Sequence, residues 1–262
     1  MSQVVSSIKS VIPRPVRNQL IRGKWFLKRL PCAIQYQNLL LRNAPLEKLV
    51  AYLPTPSQPR IYWTELKNIR LHGSLPYPPT GHYCMDGNWD LEMIHSLPSI
   101  FEPVAENVKK WDVHETIRSI FISGNHYSDT PQYKSMEEAI RQKSPNPPQG
   151  CHSIQAVNSY FEQLIAAYKS MREYGYLTQQ EMGRPNVEEM RLHLTRDGQL
   201  CLGTGGNHRI RIAELLGIKW LPFLLRGIHP QFLLKLCQKQ SLLPHEAIDK
   251  WLNDVFYDKR PV

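Results

Sequence analysis

The spacing of apolar residues divides the first part of the chain into helical and irregular stretches. Residues 1–56 have helical spacing and end at a Pro-Thr-Pro break. Residues 57–95 are rich in proline, glycine and aromatic side chains, which favours short strands and loops. Helical spacing returns in residues 91–123, where two prolines must begin or interrupt helices. Residues 124–153 are a polar connection with a short helix near 135–143.

The second part of the chain alternates between helix and strand patterns. Residues 154–174 have the spacing of one long helix. Residues 188–194 and 200–203 resemble paired strands, and the Arg-Asp-Gly sequence between them is a strong hairpin signal. Residues 220–226 are typical of a buried strand, and residues 230–257 predict one or two closing helices. This order of elements predicts an α+β fold.

A glycine-rich loop joins the second hairpin strand to a short predicted helix that begins on His-Arg. N–H groups at a helix start have no partner within the helix, and the helix dipole adds positive charge there, so such a start suits a phosphate. Gly203, Gly205 and Gly206 let a ligand approach the backbone closely. Asn207 is a favoured N-cap residue, and Gly217 is the expected stop of the helix.

Two arginines on this helix are expected to differ in their surroundings. Arg209 shares a stripe with apolar residues three, four and seven positions further on, so it should face the core and take an anionic partner. Arg211 lies on another face, within reach of Glu214 in an ordinary surface pair. Alternatively, the glycines merely form a tight turn and Arg209 pairs with a carboxylate of its own protein.

Two further features carry candidate chemistry. Asp86 and Asp90 flank a glycine-containing loop, where they could hold Mg²⁺ or accept a proton from an attacking hydroxyl. The alternative is an Asp-Gly turn with a buried tryptophan behind it. His208 could donate to a phosphate with a proton supplied near neutral pH, or could simply bond to backbone at the helix start.

Positive charge is concentrated at one end of the chain. The net charge is +9, and residues 1–50 contain nine Lys or Arg against one acidic residue, so the rest is close to neutral. Apolar residues lie among these cations: Trp25, Phe26, Leu27 and Leu30. The mixture suits an anionic membrane surface or a nucleic acid backbone. A solvated or partner-facing helix is the alternative.

The remaining composition excludes several classes of protein. The five cysteines, Cys32, Cys84, Cys151, Cys201 and Cys237, have no C-x-x-C spacing and predict reduced, mostly buried thiols in a cytosolic protein. The ten histidines include no metal-binding pair of the H-E-x-x-H kind. No convincing secretory signal is present, and no stretch approaches the roughly 18 to 20 apolar residues needed to span a bilayer. We therefore expect a cytoplasmic protein, with peripheral membrane attachment as an option.

The glycine loop resembles the nucleotide-binding motif of the ParB/sulfiredoxin superfamily. The sequence Gly205-Gly-Asn-His-Arg209 is similar to the sulfiredoxin Gly-Gly-Cys-His-Arg motif, and Gly206, Arg209, Arg211 and Ala213 fall on the Gly-Glu-Arg-Arg-x-Arg-Ala box of ParB. The resemblance extends to residues 160–187, where a helix, a Gly-Leu-x-Gln-like segment and a strand follow one another in ParB. Residues 60–69 resemble the opening strand of that domain.

The resemblance implies a fold and a division of the chain. The fold would be a ParB/sulfiredoxin-like small mixed sheet with flanking helices, extended by a basic helical arm over residues 1–56. Residues 57–230 would form the nucleotide-binding domain, with a helical insertion at about 91–150, and residues 231–262 would be closing helices.

Departures from the superfamily motifs narrow the expected activity. Asn207 replaces the catalytic cysteine of sulfiredoxin, which argues against repair of an oxidised cysteine. Asn207 and His208 replace the glutamate and first arginine of ParB, which argues against hydrolysis of the ParB type. A third branch of the superfamily comprises small-molecule kinases, including free serine kinases, which use the same pocket for phosphoryl transfer.

The resemblance therefore implies an ATP- or CTP-binding phosphotransferase that uses Mg²⁺ and acts on a hydroxyl-bearing small-molecule, glycan or lipid-linked acceptor. The expected nucleotide-binding residues are Thr204, Gly205, Gly206, Asn207, His208, Arg209 and Arg211. The candidate catalytic carboxylates are Asp86, Asp90, Glu181 and Glu65, the first two also as metal ligands. Glu181 is added because the superfamily pattern places its region near the pocket, and Glu65 because it lies on the opening strand; solvent-facing roles are the alternative for both. The rival function is a ParB-like, nucleotide-dependent DNA-binding protein without phosphotransfer.

Overall fold

The computed structural model describes residues 14–57, 60–73, 75, 78–103, 112–185, 188–203 and 205–257. The chain divides into two compact units. The first, called the sheet unit, comprises Met1–Ser96, Leu177–Gly205 and Pro222–Val262. The second, called the helical unit, comprises Leu97–Tyr176 and Gly206–Leu221. Each unit therefore contains segments that are far apart in sequence.

The described residues form one mixed sheet. Its strands are β1 (Ile61–Glu65), β2 (Ile69–Gly73), β3 (Ile94–Ser96), β4 (Arg191–Leu194), β5 (Leu200–Leu202) and β6 (Trp220–Ile228). The order across the sheet is β1-β6-β4-β5-β2-β3. The pairs β2–β3 and β4–β5 are antiparallel, whereas β2–β5 and β4–β6 are parallel. The predicted α+β class is confirmed at this level.

The helices occupy both units. In chain order they are α1 (Arg14–Leu41), α2 (Leu46–Ala51), α3 (Trp89–Glu92), α4 (Asp112–Phe121), α5 (Pro131–Arg141), α6 (Ile154–Tyr174), α7 (Asn207–Leu215), α8 (Pro230–Gln240) and α9 (Pro244–Val255). The helical unit contains α4 to α7, in which α4 and α6 both pack on α5 and on α7. In the sheet unit, α9 packs on α8 and α2, and α1 packs on α2.

Several local predictions are confirmed because cap and turn residues mark the ends of elements. Ser153 caps α6 by accepting a hydrogen bond from the Ala156 N–H at 3.2 Å, and Gly175 follows its last residue with φ of 70°. Gly198 makes the β4–β5 turn with φ of 76°. Gly217 ends α7 with φ of 67°, and the next N–H reaches back to the carbonyl of Ala213 at 2.8 Å. This pairing is the Schellman arrangement.

The predicted helical spacing over residues 91–123 is wrong at its start. Residues Ile94–Ser96 form β3, in which His95 pairs with His72 of β2. A three-residue edge strand is too short to show a period of its own, and Pro98 prevents a helix from continuing through this segment. Helix α4 takes up the later part of the spacing, whereas residues 104–111 lie outside the described residues.

The core of each unit is apolar. In the sheet unit, Leu192, Leu194, Leu202, Phe223 and Ile228 are fully buried; in the helical unit, Ile117, Val157 and Phe161 are. All five cysteines are free and buried, as predicted. Burial raises the pKa of Cys201 to about 12, so the thiol stays protonated. Across the described part of the chain, no helix has the length and apolar character required to cross a bilayer.

Candidate functional site

The glycine loop, residues 203–206, has two different parts. Gly203 belongs to the packing of the sheet unit, because a Cβ at this position would lie 2.6 Å from Cε1 of the His193 ring. Gly203 is buried, so its role is to make room for His193 and not, as predicted, to admit a phosphate. Thr204, a predicted binding residue, lies outside the described residues.

The second part of the loop is open. Gly205 has φ of 109° and Gly206 has φ of 96°, values that side-chain-bearing residues rarely adopt. Gly205 is exposed, and a Cβ there would meet nothing within 4 Å. The backbone of this part is therefore approachable from solvent, as the sequence predicted.

Helix α7 begins without a side-chain cap among the described residues. Gly206 is the N-cap residue, whereas Asn207 is the first residue of the helix; the prediction that Asn207 caps the helix is wrong. The N-cap residue, Gly206, has a left-handed backbone and no side chain, so this position offers no side-chain acceptor to the first N–H groups of α7. The Ile210 N–H donates to the Gly206 carbonyl at 2.9 Å, so the N–H groups of Asn207 and His208 precede the hydrogen-bonded ladder. Such a start favours an anion.

Arg209 lies in the first turn of α7. Its Nη1 donates to the Tyr176 hydroxyl at 3.3 Å, and Tyr176 is buried within the helical unit. Ile212 and Ala213, which share the stripe of Arg209, are buried as predicted, whereas Leu216 and Arg209 itself are half-buried. One nitrogen of the guanidinium is thus held by the neutral Tyr176 phenol in the first turn of the helix.

His208 belongs to a cluster of three side chains in the helical unit. Its Nε2 lies 3.1 Å from the Tyr160 hydroxyl and 3.2 Å from Oε1 of Gln132, and Nε2 of Gln132 donates to the same hydroxyl at 3.1 Å. An amide oxygen only accepts, so this arrangement places the imidazole proton on Nε2. Burial and the neighbouring Arg209 lower the pKa of His208 to about 4. The prediction that His208 supplies a proton near neutral pH is therefore wrong.

Arg211 pairs with Glu214 as predicted, but it is buried, so the expected surface location of the pair is wrong. Its Nη1 donates to the Pro98 carbonyl and lies 3.8 Å from the Glu214 carboxylate. Glu214 also accepts from the Ser99 hydroxyl at 2.8 Å and from the Ile100 N–H at 3.0 Å. Burial lowers the pKa of Arg211 to about 10 despite the attraction of Glu214. The pair holds the segment before α4 within the helical unit.

The acidic loop, residues 86–90, is built around an ion pair in the sheet unit. Asp90 is buried, and Arg196 donates to it through Nη2 at 2.7 Å, through Nε at 2.9 Å and through its backbone N–H at 2.8 Å. Burial alone would raise the pKa of Asp90, but the hydrogen bonds from Arg196 lower it below the usual value. The oxygens of Asp90 are thus largely occupied by an internal cation.

The rest of the acidic loop is a turn with a buried tryptophan, the alternative that the sequence left open. Asp86 is exposed, and its Oδ1 accepts from the Gly87 N–H at 2.8 Å. The Trp89 indole donates to the Met85 carbonyl at 2.8 Å. His229 donates from Nε2 to the Gly87 carbonyl at 3.0 Å, which ties the turn to the start of α8.

The other two predicted carboxylates have local partners. Glu181 is exposed and accepts from the N–H of Thr178 at 2.6 Å and from its hydroxyl at 2.8 Å. Glu65 ends β1 and pairs with Lys67 at 2.5 Å. All four carboxylates belong to the sheet unit, whereas α7 belongs to the helical unit. No group of three or more potential metal ligands occurs among the residues that the structure describes.

Sequence reasoning missed His193 and the cluster around His208. His193 is buried in β4 between Gly203 and Gly227, and neither ring nitrogen has a partner in the described part of the chain. Burial, with the positive charges of Arg226 and Arg191, lowers the pKa of His193 to about 3. The sequence could have indicated His193, because it stands at an inward-facing position of a predicted strand. Nothing in the sequence indicated that Gln132 and Tyr160 contact His208, because these residues are far apart along the chain.

Comparisons of the chain with protein-family models, with curated proteins and with solved structures found no match.

Proposed function

We propose that this chain is a nucleotide-binding phosphotransferase of ParB/sulfiredoxin type, which binds ATP or CTP by its phosphates at the start of α7. The observation that carries the proposal is the uncapped start of α7 behind two glycines with left-handed backbone. The order of elements supports it, since the β4–β5 hairpin, the glycine loop, α7 and β6 follow one another, and β6 is parallel to β4.

Each residue at the start of α7 has a distinct part in this proposal. Gly205 and Gly206 let phosphate oxygens approach the backbone, and the N–H groups of Asn207 and His208 donate to them. Arg209 neutralises charge that develops on the transferred group. His208 is neutral near pH 7, so it positions this turn through Gln132 and Tyr160 without adding charge.

Phosphoryl transfer to a hydroxyl also needs Mg²⁺ and a carboxylate that accepts the proton. Among the predicted carboxylates, Asp86 and Glu181 are exposed, and the donors that they engage within the described part of the chain are neighbouring N–H or hydroxyl groups. Asp90 is a poorer candidate, because Arg196 already neutralises it.

Thermal unfolding tests nucleotide binding. With Mg²⁺ and saturating ATP or CTP, the melting temperature should rise by about 5 °C, and Arg209→Ala should abolish the rise. Arg141→Ala is the matched control, because Arg141 is an exposed arginine of the same unit that pairs with Glu138 on α5. An unchanged melting temperature with both nucleotides, or a full rise in the Arg209 variant, would refute the proposal.

A further inference from the structure

Helix α1 is fixed to the sheet unit along one face. Cys32 and Tyr36, four residues apart, are buried. The Cys32 thiol donates to the Tyr52 carbonyl at 3.2 Å, and the Tyr36 hydroxyl lies 3.0 Å from Nδ1 of His245 on α9. These contacts set the rotation of the helix about its own axis, so the opposite face must point to solvent.

That opposite face carries a stripe of exposed apolar side chains. The stripe consists of Phe26, Leu27, Leu30, Ile34 and Leu41, which are between 39% and 82% exposed. At 3.6 residues per turn, the five positions fall within an arc of about 100°. The centre of this arc is far from the buried Cys32 and Tyr36. An exposed stripe of this kind on one helix marks an interaction surface.

The charge of α1 identifies the kind of partner. The helix contains six Lys or Arg and no acidic residue in 28 residues. Lys28 is exposed on the polar part of α1, outside the stripe, and Arg42 follows the helix in an exposed position. A nucleic acid would match the cations but would leave five large apolar side chains in water. An anionic bilayer surface matches both, because its headgroups attract the cations and its acyl boundary accepts the stripe.

We infer that α1 binds the surface of an anionic membrane, lying in the plane of the interface with the apolar stripe inserted below the headgroups. The bound state is peripheral, since α1 lacks the apolar length to cross a bilayer. Binding combines burial of the stripe with attraction of the cations, so it weakens in high salt without disappearing. The inference does not depend on the proposed nucleotide site.

Flotation with vesicles tests the inference. The full chain should float with phosphatidylcholine vesicles that contain about 30% phosphatidylglycerol, and should bind pure phosphatidylcholine at least about tenfold more weakly. Ile34→Glu should reduce binding to the anionic vesicles at least about tenfold. Gln35→Glu is the matched control, because it adds the same charge at the adjacent exposed position outside the stripe, and should reduce binding about twofold at most.

A charge-neutral variant and a second ligand make the test decisive. Leu27→Gln/Ile34→Gln removes apolar surface without changing the charge, and it should also reduce vesicle binding at least about tenfold while its melting temperature is unchanged. The inference is overturned if the wild-type chain does not float, or if the double variant floats as well as wild type. It is also overturned if duplex DNA binds more tightly than the vesicles, or if the stripe mediates a dimer that Ile34→Glu dissociates.

Discussion

The acidic loop and the glycine loop both contain glycine beside candidate binding groups, but these groups differ in whether the protein itself supplies their partners. Gly87 and Gly205 both have positive φ, 93° and 109°, and a Cβ at either would meet nothing within 4 Å. In the acidic loop, however, Asp90 is closed off by three donors from Arg196. At the start of α7, no described side chain caps the helix. The carboxylate of the acidic loop is therefore paired within the protein, whereas the N–H groups at the start of α7 can bind an external anion.

The difference shows how to separate a structural charge from a binding charge. A charged group is structural when it is buried and the same unit supplies its counter-charge at hydrogen-bonding distance, as Arg196 does for Asp90. A group is a better binding candidate when the fold aims donors at a position that it does not fill. The first N–H groups of α7 fit this second description, because Gly206 is the N-cap residue and no described side chain accepts from them.

Removing Asp90 should have the largest effect on stability. Asp90→Ala leaves Arg196 without its carboxylate and should lower the melting temperature by on the order of 10 °C. Asp86→Ala, in the same loop, should change the melting temperature by about 2 °C at most, because Asp86 is exposed and its hydrogen bond among the described residues is to the adjacent Gly87 N–H. An equal fall in melting temperature in the two variants, measured by calorimetry, would show that the buried, Arg196-paired Asp90 does not differ in structural role from the exposed Asp86.

Acid should weaken the Asp90–Arg196 ion pair over a defined range of pH. The pKa of Asp90 is lowered in the folded state, so its contribution is complete above the unfolded value near 3.9 and is lost as pH falls through the lower folded value. Asp90→Asn should flatten the profile of unfolding free energy below about pH 4, as measured by urea unfolding at a series of pH values.

A side chain at the open loop should have an intermediate effect. Gly205→Ala forces an unfavourable φ, costs about 1 to 3 kcal/mol and should weaken nucleotide binding about tenfold or more. Gly217→Ala is the matched control, since Gly217 also has positive φ and open space but lies at the other end of α7. Titration calorimetry should find wild-type nucleotide affinity in the Gly217 variant. Equal loss of affinity in both variants would mean that the loop acts only through stability.

The pH dependence of His208 should give an effect that is negligible at pH 7 and grows as the pH falls. Its folded pKa of about 4 lies below the ordinary 6.5, so the unfolded chain binds a proton that the folded chain does not. The free energy of unfolding should therefore fall as pH drops from about 6.5 towards 4, by up to about 1 kcal/mol per pH unit from this residue. His208→Gln should reduce that slope in urea unfolding, whereas exposed His152→Gln should leave it unchanged.

Local signals in the sequence predicted the elements that cap residues define. Helix α6 runs from Ile154 to Tyr174 as expected, because Ser153 and Gly175 bracket it. The β4–β5 hairpin follows from its Asp-Gly turn. The open backbone at Gly205 and Gly206 was also predictable, since glycine is the residue that adopts such φ values freely.

The long-range pairings could not be predicted from spacing. Arg196 is separated from Asp90 by 106 residues, and Arg211 from Pro98 by 113. Nothing in the local pattern says which of several arginines reaches a given carboxylate or carbonyl. The buried state of Arg211 and the closed state of Asp90 follow from these tertiary contacts, so the sequence indicated the candidate groups but not which of them remain available to a ligand.

Amide chemical shifts on titration with ATP or CTP and Mg²⁺ would test the proposed phosphate site most directly. If phosphates bind at the start of α7, the largest shifts should fall on the amides of Gly205, Gly206, Asn207, His208 and Arg209. Shifts centred on Arg196 and the acidic loop, or no shifts with either nucleotide, would contradict binding at this helix start.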